Sequence, residues 1–279
     1  MSSNHHRDLN RSFAFIDAAA QAGCHSVKFQ LFKIEQLFSP EILERSEKHR
    51  KREEWELPNE FLPELAARCR KNNVEFSCTP FYLDAVEELE PYVDFYKIAS
   101  YELLWDDLLS ACAKTGKPVL LSTGMATIPE IQHAVKILKN NGCTSPTLLH
   151  CTSAYPTPYA EANLAAIETI GKATGCKVGW SDHTVEPAVM YRAIHRWGAQ
   201  AIEFHLDLDG KGEEYEAGHC WLPDQIGEVI REVEKGLKAD GSGVKKPVPS
   251  ELSDRMWRAD PADGLRPLKQ IRHDFNPNA

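Results

Sequence analysis

No apolar run in this 279-residue chain approaches the ~20 residues that cross a bilayer. The opening stretch, MSSNHHRDLNRS, lacks the apolar core of a secretory signal. There is no CxxC pair: Cys24, Cys69, Cys78, Cys112, Cys143, Cys151, Cys176 and Cys220 are scattered. Several lie inside apolar segments, where Cys behaves as a small hydrophobe. A reduced, cytoplasmic protein with no membrane partner is the expectation. Positive charge is also short, with 32 Lys and Arg against 41 Asp and Glu, a net charge of −9. Such a surface repels phosphate backbones, so nucleic acid is excluded as the expected partner. A small anion is not, because a few lysines in a cleft override the global sign locally.

What is present is enough for one large domain. The hydrophobic fraction of 42% supports a proper core, and an α/β barrel commonly needs about 250 residues. Seven apolar, β-branched runs recur: SVKFQLF (26–32), VEFSCTP (74–80), DFYKIAS (94–100), PVLLSTG (118–124), PTLLHCTS (146–153), KVGWSDH (177–183) and AIEFHLDL (201–208). Between them lie segments with apolar spacing of three and four, such as IPEIQHAVKILKNNG. Gly116 and Gly142 stand where helix C-caps belong. This alternation predicts parallel strands joined by right-handed crossovers. A closed (β/α)8 barrel needs eight strands, whereas an open doubly wound sheet can use seven, and the pattern leaves both open. The first predicted helix, 8–23, has no strand before it. Residues 36–57 read as a solvated insertion whose basic cluster, Lys48 to Arg52, is a helix surface. From Gly241 onward the chain is rich in Pro, Gly and charge, and reads as an irregular extension. The expected division is a catalytic domain over 1–240 and a tail over 241–279.

Each strand ends in polar groups: Lys28 and Gln30, Ser77 and Thr79, Lys97 and Ser100, Ser122 and Thr123, His150 and Thr152, Ser181 and His183, Glu203 and His205. Residues two apart share a strand face. A lone Ser at a strand end is more often a helix cap, and a lone His more often hydrogen-bonded structure. A lysine inside FYKIAS is harder to dismiss, since a buried ammonium is costly unless paired. In a parallel barrel all these groups converge on one mouth, where barrel enzymes keep their chemistry. Two lysines with several hydroxyls suit a phosphate or a phosphate with a carboxylate. His183 and His205, on adjacent strands and with no cysteine ligand evident, suit an open divalent site that polarises a carbonyl. Glu102, in IASYE, is a candidate for proton transfer or for hydrogen bonding a polyol.

The stretches VKFQ, CTPF, YKIAS, GKPVLLSTGMAT, LLHCTSAYPTPYAEANL and VGWSDHT resemble the sialic acid (N-acetylneuraminate) synthase family, from about Asn4 to roughly Asp224. The resemblance implies a (β/α)8 TIM barrel that condenses phosphoenolpyruvate with an N-acetylhexosamine such as N-acetylmannosamine. The products would be a nine-carbon 2-keto acid and phosphate. It implies a divalent ion, manganese before magnesium or cobalt, on His183 and His205. It maps phosphoenolpyruvate onto Lys28, Thr79, Lys97, Ser100, Ser122, Ser153 and Ser181, and the sugar onto Gln30, Glu102 and Tyr155. Glu102, His183, His205, Lys28 and Lys97 are the expected catalytic set. A homodimer is compatible with the resemblance.

Three departures stand out. The family's opening strand, ending in AEIG-NH, is lacking although Asn4 and His5 keep its register. No C-terminal antifreeze-like domain is expected after the barrel, and Arg258 or Arg266 would then have to supply its arginine. The loop after His205, DLDGKGEEYEAGHCW, lacks the usual Gly-Pro-Asp, with Glu216 expected to replace the aspartate and His219 adding a polar group. These leave the acceptor open. Synthesis of legionaminic or pseudaminic acid, or of sialic acid 9-phosphate, is one alternative, and a degenerate sugar-binding barrel without chemistry is another.

Overall fold

Sequence alternation becomes a curled, all-parallel sheet in the computed structural model, which describes Met1 and residues 3–273. Its eight strands run in chain order. They are β1 (Ser26–Leu31), β2 (Glu75–Pro80), β3 (Phe95–Ile98), β4 (Val119–Ser122), β5 (Thr147–His150), β6 (Lys177–Asp182), β7 (Ile202–Leu206) and β8 (Cys220–Trp221). The seven expected strands all form, each trimmed at its ends. The eighth, β8, is an addition: two residues are too short to show a period. Sequential parallel neighbours joined by helices give the barrel topology and not the doubly wound order.

Among the described residues no ladder joins β8 back to β1. The N-terminal segment is hydrogen-bonded to β1 and to the end of β7. The Met1 amino group donates to the Lys28 carbonyl at 2.9 Å, and Asn4 Nδ2 donates to the Leu206 carbonyl at 3.0 Å and to Asp207 Oδ2 at 2.9 Å.

The helices follow their local chemistry. Leu9–Ala22 starts at Asp8, whose carboxylate accepts from the amides of Asn10 and Arg11. Ile128–Asn140 opens with Thr127 and Glu130 capping each other, and Gly142 beyond its end takes φ +114°. Apolar faces such as Leu65, Ala66 and Cys69 on Leu62–Lys71 are fully buried. The insertion folds as short helices over Pro40–Arg45 and Glu47–Arg50 and a 3-10 turn over Lys51–Trp55, none with a buried residue. All eight cysteines are free thiols.

The chain forms two compact units, Met1–Glu234 and Lys235–Ala279, and the helix Pro223–Ala239 contains the division. The second unit holds short turns, Pro249–Glu251 and Asp254–Trp257, and the one-turn helix Lys269–Arg272. Within it Arg272 pairs with Asp263, and Asp260 accepts from the Lys269 amide at 2.8 Å. The last six residues of the expected tail, 274–279, lie outside the described residues.

Candidate active site

Register and pleat bring the strand-end groups together. In β1, burial alternates, with Val27, Phe29 and Leu31 buried outward and Lys28 and Gln30 half-buried on the opposite face. Lys28 sits beside Ser77 and Gln30 beside Thr79 in the β1–β2 ladder. Ser181 sits beside Glu203 in the β6–β7 ladder. The result is a charged knot. Lys28 Nζ lies 3.1 Å from Glu203 Oε1, Lys97 Nζ lies 3.4 Å from Glu203 Oε2, and Ser181 Oγ donates to Oε2 at 2.7 Å. Burial pushes the Glu203 carboxyl up, but the two ammonium groups outweigh it and hold it well below the usual carboxylate range. Burial pulls Lys97 down, opposed by the same carboxylate.

Beside the knot is a pocket of hydroxyls. The Gly124 amide donates to Ser100 Oγ at 3.0 Å, and Ser100 Oγ lies 3.2 Å from Cys151 Sγ. A Cβ at Gly124 would come within 2.3 Å of Ser153 Oγ and 2.9 Å of Ser100 Oγ, so only glycine keeps this space open. The side-chain oxygens of Thr79 and Ser153 are buried with no hydrogen-bond partner among the described residues. Ser122 is buried at the end of β4. Glu102 is buried in the 3-10 turn after β3, and burial raises its carboxyl to about 7 despite nearby Lys97.

The imidazoles form a second cluster. His183 and His205 have ring centroids 5.4 Å apart, and His219 lies 4.8 Å from His205. The Tyr155 ring stacks 4.2 Å from His183 and meets His219 edge-on at 5.2 Å. His183 Nδ1 bonds the Thr152 carbonyl at 2.9 Å, which leaves Nε2 for a ligand. His205 Nδ1 and His219 Nδ1 are buried without a partner among the described residues. Burial lowers the pKa of all three, so they sit as neutral imidazoles, the form that binds a cation. The donor set therefore fits a divalent ion.

The turn after β6 is held by Asp182. Its carboxylate accepts from Trp180 Nε1, Trp221 Nε1, Thr184 N and Oγ1, and Val185 N. This network fixes the chain that carries His183.

Against this geometry stand the comparisons. Residues 15–245 match the NeuB family. The chain belongs to that family. An N,N'-diacetyllegionaminic acid synthase of Campylobacter jejuni is 35% identical over 263 residues, which is 89% of this chain and 78% of that one. An uncharacterized protein of Methanocaldococcus jannaschii is 38% identical over 249 residues, 89% of this chain and 72% of that one. The crystal structure of an N-acetylneuraminic acid (sialic acid) synthetase from Leptospira borgpetersenii, in complex with citrate, superposes with a TM-score of 0.80 at 32% identity. It covers 91% of this chain and 87% of that one.

In this NeuB chain Lys28, Lys97 and Ser181 meet at Glu203, and His183, His205 and Tyr155 stand together beside them. Gln30, Thr79, Ser100, Ser122, Ser153 and Glu102 stand on the same strand ends or the turns after them. Glu216 is exposed on the helix Glu213–Glu216; of that loop's carboxylates it is Glu214 that lies against the histidines. The expectation that no cysteine stands near the histidines is corrected. The β7–β8 register sets Cys220 directly beside His205. Sequence reasoning also missed Glu203 as the shared counterion. Its signal was available, because two inward lysines require a buried carboxylate and Glu203 lies two residues before His205.

Proposed function

We propose that this chain condenses phosphoenolpyruvate with the open-chain aldehyde of an N-acetylhexosamine, giving a nine-carbon 2-keto sugar acid and phosphate. The observation that carries this reading is the convergence of Lys28 and Lys97 on one carboxylate beside the histidine cluster. Two ammonium groups in a half-buried mouth bind a small polyanion, and phosphoenolpyruvate carries a carboxylate and a phosphate. Lys28 and Lys97 hold those groups, with Ser100, Ser122, Ser153, Ser181 and Thr79 donating to their oxygens. C3 of phosphoenolpyruvate attacks the aldehyde carbon, whose oxygen takes up a proton. Water then adds at C2, and the C–O bond breaks to release phosphate. The lysines stabilise the charge that builds on the departing group. Glu102, whose carboxyl burial raises to about 7, can in its protonated form donate to a sugar hydroxyl or to the aldehyde oxygen. Gln30 and Tyr155 line the sugar side.

His183 and His205 would hold a divalent cation, manganese by the family resemblance. When bound, it supplies Lewis acidity toward the aldehyde. The chemistry is assigned to residues 1–240, with 241–279 as an accessory tail. The free thiols support a reduced, cytoplasmic setting. A second reading of the acceptor, the amino sugar that leads to legionaminic acid, is favoured by the 35% identity to a legionaminic acid synthase. The test is manganese-dependent phosphate release from phosphoenolpyruvate across a panel of N-acetylhexosamines and their phosphates. One acceptor should stand out, and the His183→Ala variant should lose turnover while keeping its melting temperature. Phosphate release with no acceptor in the panel, or full manganese-dependent activity in His183→Ala, would overturn the reading.

A further inference from the structure

The loop that follows β5 carries Tyr155, and one buried threonine ties its near end to the end of β6. Thr157 is 3% exposed. Its Oγ1 donates to the Ala154 carbonyl at 2.9 Å and to the Thr152 carbonyl at 3.1 Å. Its amide donates to the His183 carbonyl at 2.9 Å. The Thr152 carbonyl is the same one that bonds His183 Nδ1 at 2.9 Å. The far end of the loop is tied separately. Thr152 Oγ1 donates to the Glu161 carbonyl at 3.1 Å, and His150 Nε2 bonds the Ala162 carbonyl at 3.0 Å.

A threonine that only fills space needs its methyl group and not its hydroxyl. Here the hydroxyl has the specific task. One proton shared by two carbonyls closes the stretch from Thr152 to Thr157 into a turn, and each carbonyl leads to a different part of the mouth. The Thr152 carbonyl can only accept, so it keeps the proton of the neutral His183 ring on Nδ1 and leaves Nε2 for a ligand. The Ala154 carbonyl belongs to the peptide that leads into Tyr155, whose ring lies 4.2 Å from that of His183. Without the hydroxyl, both carbonyls lose a donor, and the turn that backs His183 and carries Tyr155 is left to the loop's own stiffness.

We propose that Thr157 is a positioning residue, whose hydroxyl holds the Thr152 carbonyl against His183 and sets Tyr155 beside that ring. The proposal rests on the reading that His183 holds the divalent ion and Tyr155 lines the sugar side. Thr157 acts through these two side chains and is not itself a ligand.

The experiment measures manganese binding to the chelator-stripped full chain by calorimetry, in the parent and in three variants. Thr157→Val keeps the branched shape and the amide but loses the hydroxyl. It should weaken manganese binding about tenfold, the lower end of what loss of a partner behind a ligating histidine costs, because Thr157 stands one bond further out. Thr157→Ser keeps the hydroxyl and should bind as the parent does. Thr157→Cys, with a weaker donor, should fall between them, and Cys and Ser carry the comparison if Val does not fold. At saturating manganese, Thr157→Val should raise the KM for the acceptor sugar and leave that for phosphoenolpyruvate unchanged, since Lys28 and Lys97 stand on β1 and β3. Parent-like manganese affinity in Thr157→Val, or a Thr157→Ser variant weakened while Val is not, would assign the residue to packing and overturn this proposal alone. A parent that takes up no manganese, or a His183→Ala variant that binds it as the parent does, would overturn the cation reading and this proposal with it.

Discussion

Lys28, Lys97, Ser181 and Glu203 stand on regular parallel strands, whereas Glu214, His219 and Cys220 stand on a four-residue helix, a turn and a two-residue strand. The first region faces an anion and is electrostatically closed: two cations share one carboxylate, and a serine hydroxyl completes it. The second region gathers metal-ligand donor types and is open, with buried nitrogens that nothing within the described residues satisfies. The difference shows how the mouth divides its work. Barrel strands give a rigid frame for the anionic substrate, and the loop at the sheet's open end supplies polar groups of metal-ligand type. Breaking either region should therefore fail in its own way.

The largest effect is expected from Lys97→Met. Lys97 is 3% exposed and shares Glu203 with Lys28. Losing one preorganised charge at a departing phosphate should lower kcat/KM by about 10²–10³. Removing one partner of a buried pair costs roughly 3–5 kcal/mol, and Lys28 remains as counterion, so the stability loss should fall below that range. Adding Glu203→Gln leaves Lys28 without its carboxylate, so it should recover neither stability nor turnover. Chemical denaturation and phosphate-release kinetics on the single and double variants check this. If the double variant regains activity, the knot is structural.

Next is Glu102. Its carboxyl titrates near 7 in the folded chain against 4.5 ordinarily, because burial disfavours the charge. Between those values the folded state binds the proton and the unfolded state does not. Stability is thus highest below about 4.5 and falls as pH rises through 7, by an amount on the order of 3 kcal/mol. Glu102→Gln should remove that slope, so the gap in melting temperature between variant and parent should widen in the variant's favour from pH 5 to 8. A constant gap would mean that Glu102 titrates normally.

How much of this was legible in the sequence depends on period. Lys28, Lys97, Ser181 and His205 were found because alternation along strands of four to six residues fixes which side chains share a face. The seven longer strands were found for the same reason. Strand β8 was not, since Cys220 and Trp221 show no period, and with it went the thiol beside His205. Glu214 and Glu216 are two apart in a loop that forms a single helical turn, so sequence could not say which points inward. Asp182 closes β6, and its two tryptophan partners come from β6 and β8 and appear only in three dimensions.

A smaller effect is expected at Gly124. An added Cβ would meet Ser153 Oγ at 2.3 Å and Ser100 Oγ at 2.9 Å. Both are hydroxyls that can rotate, so Gly124→Ala should fold. The methyl group then occupies the space between them, and the KM for phosphoenolpyruvate should rise about tenfold, near 1.4 kcal/mol of binding. Manganese affinity should be unchanged, because the histidine cluster is elsewhere in the mouth. A parallel loss of manganese binding would mean that the two regions are not independent.

The smallest effect should come from Glu216→Gln, and it sharpens the comparison most cheaply. Glu216 is exposed, while Glu214, two residues earlier on the same turn, lies with the histidines and Cys220. Both changes remove one negative charge from one short helix, so any long-range effect on a cation should be similar for the two. Stability should not be. Glu214→Gln should lower stability, because the half-buried Glu214 accepts from the Ser3 amide at 3.1 Å, and Glu216→Gln should leave turnover and stability within the roughly 0.5 kcal/mol typical of surface substitutions. Equal losses in the two variants would reduce the loop's contribution to its field. Unequal losses would locate it in one carboxylate, chosen by which side of a single helical turn faces the open end of the sheet.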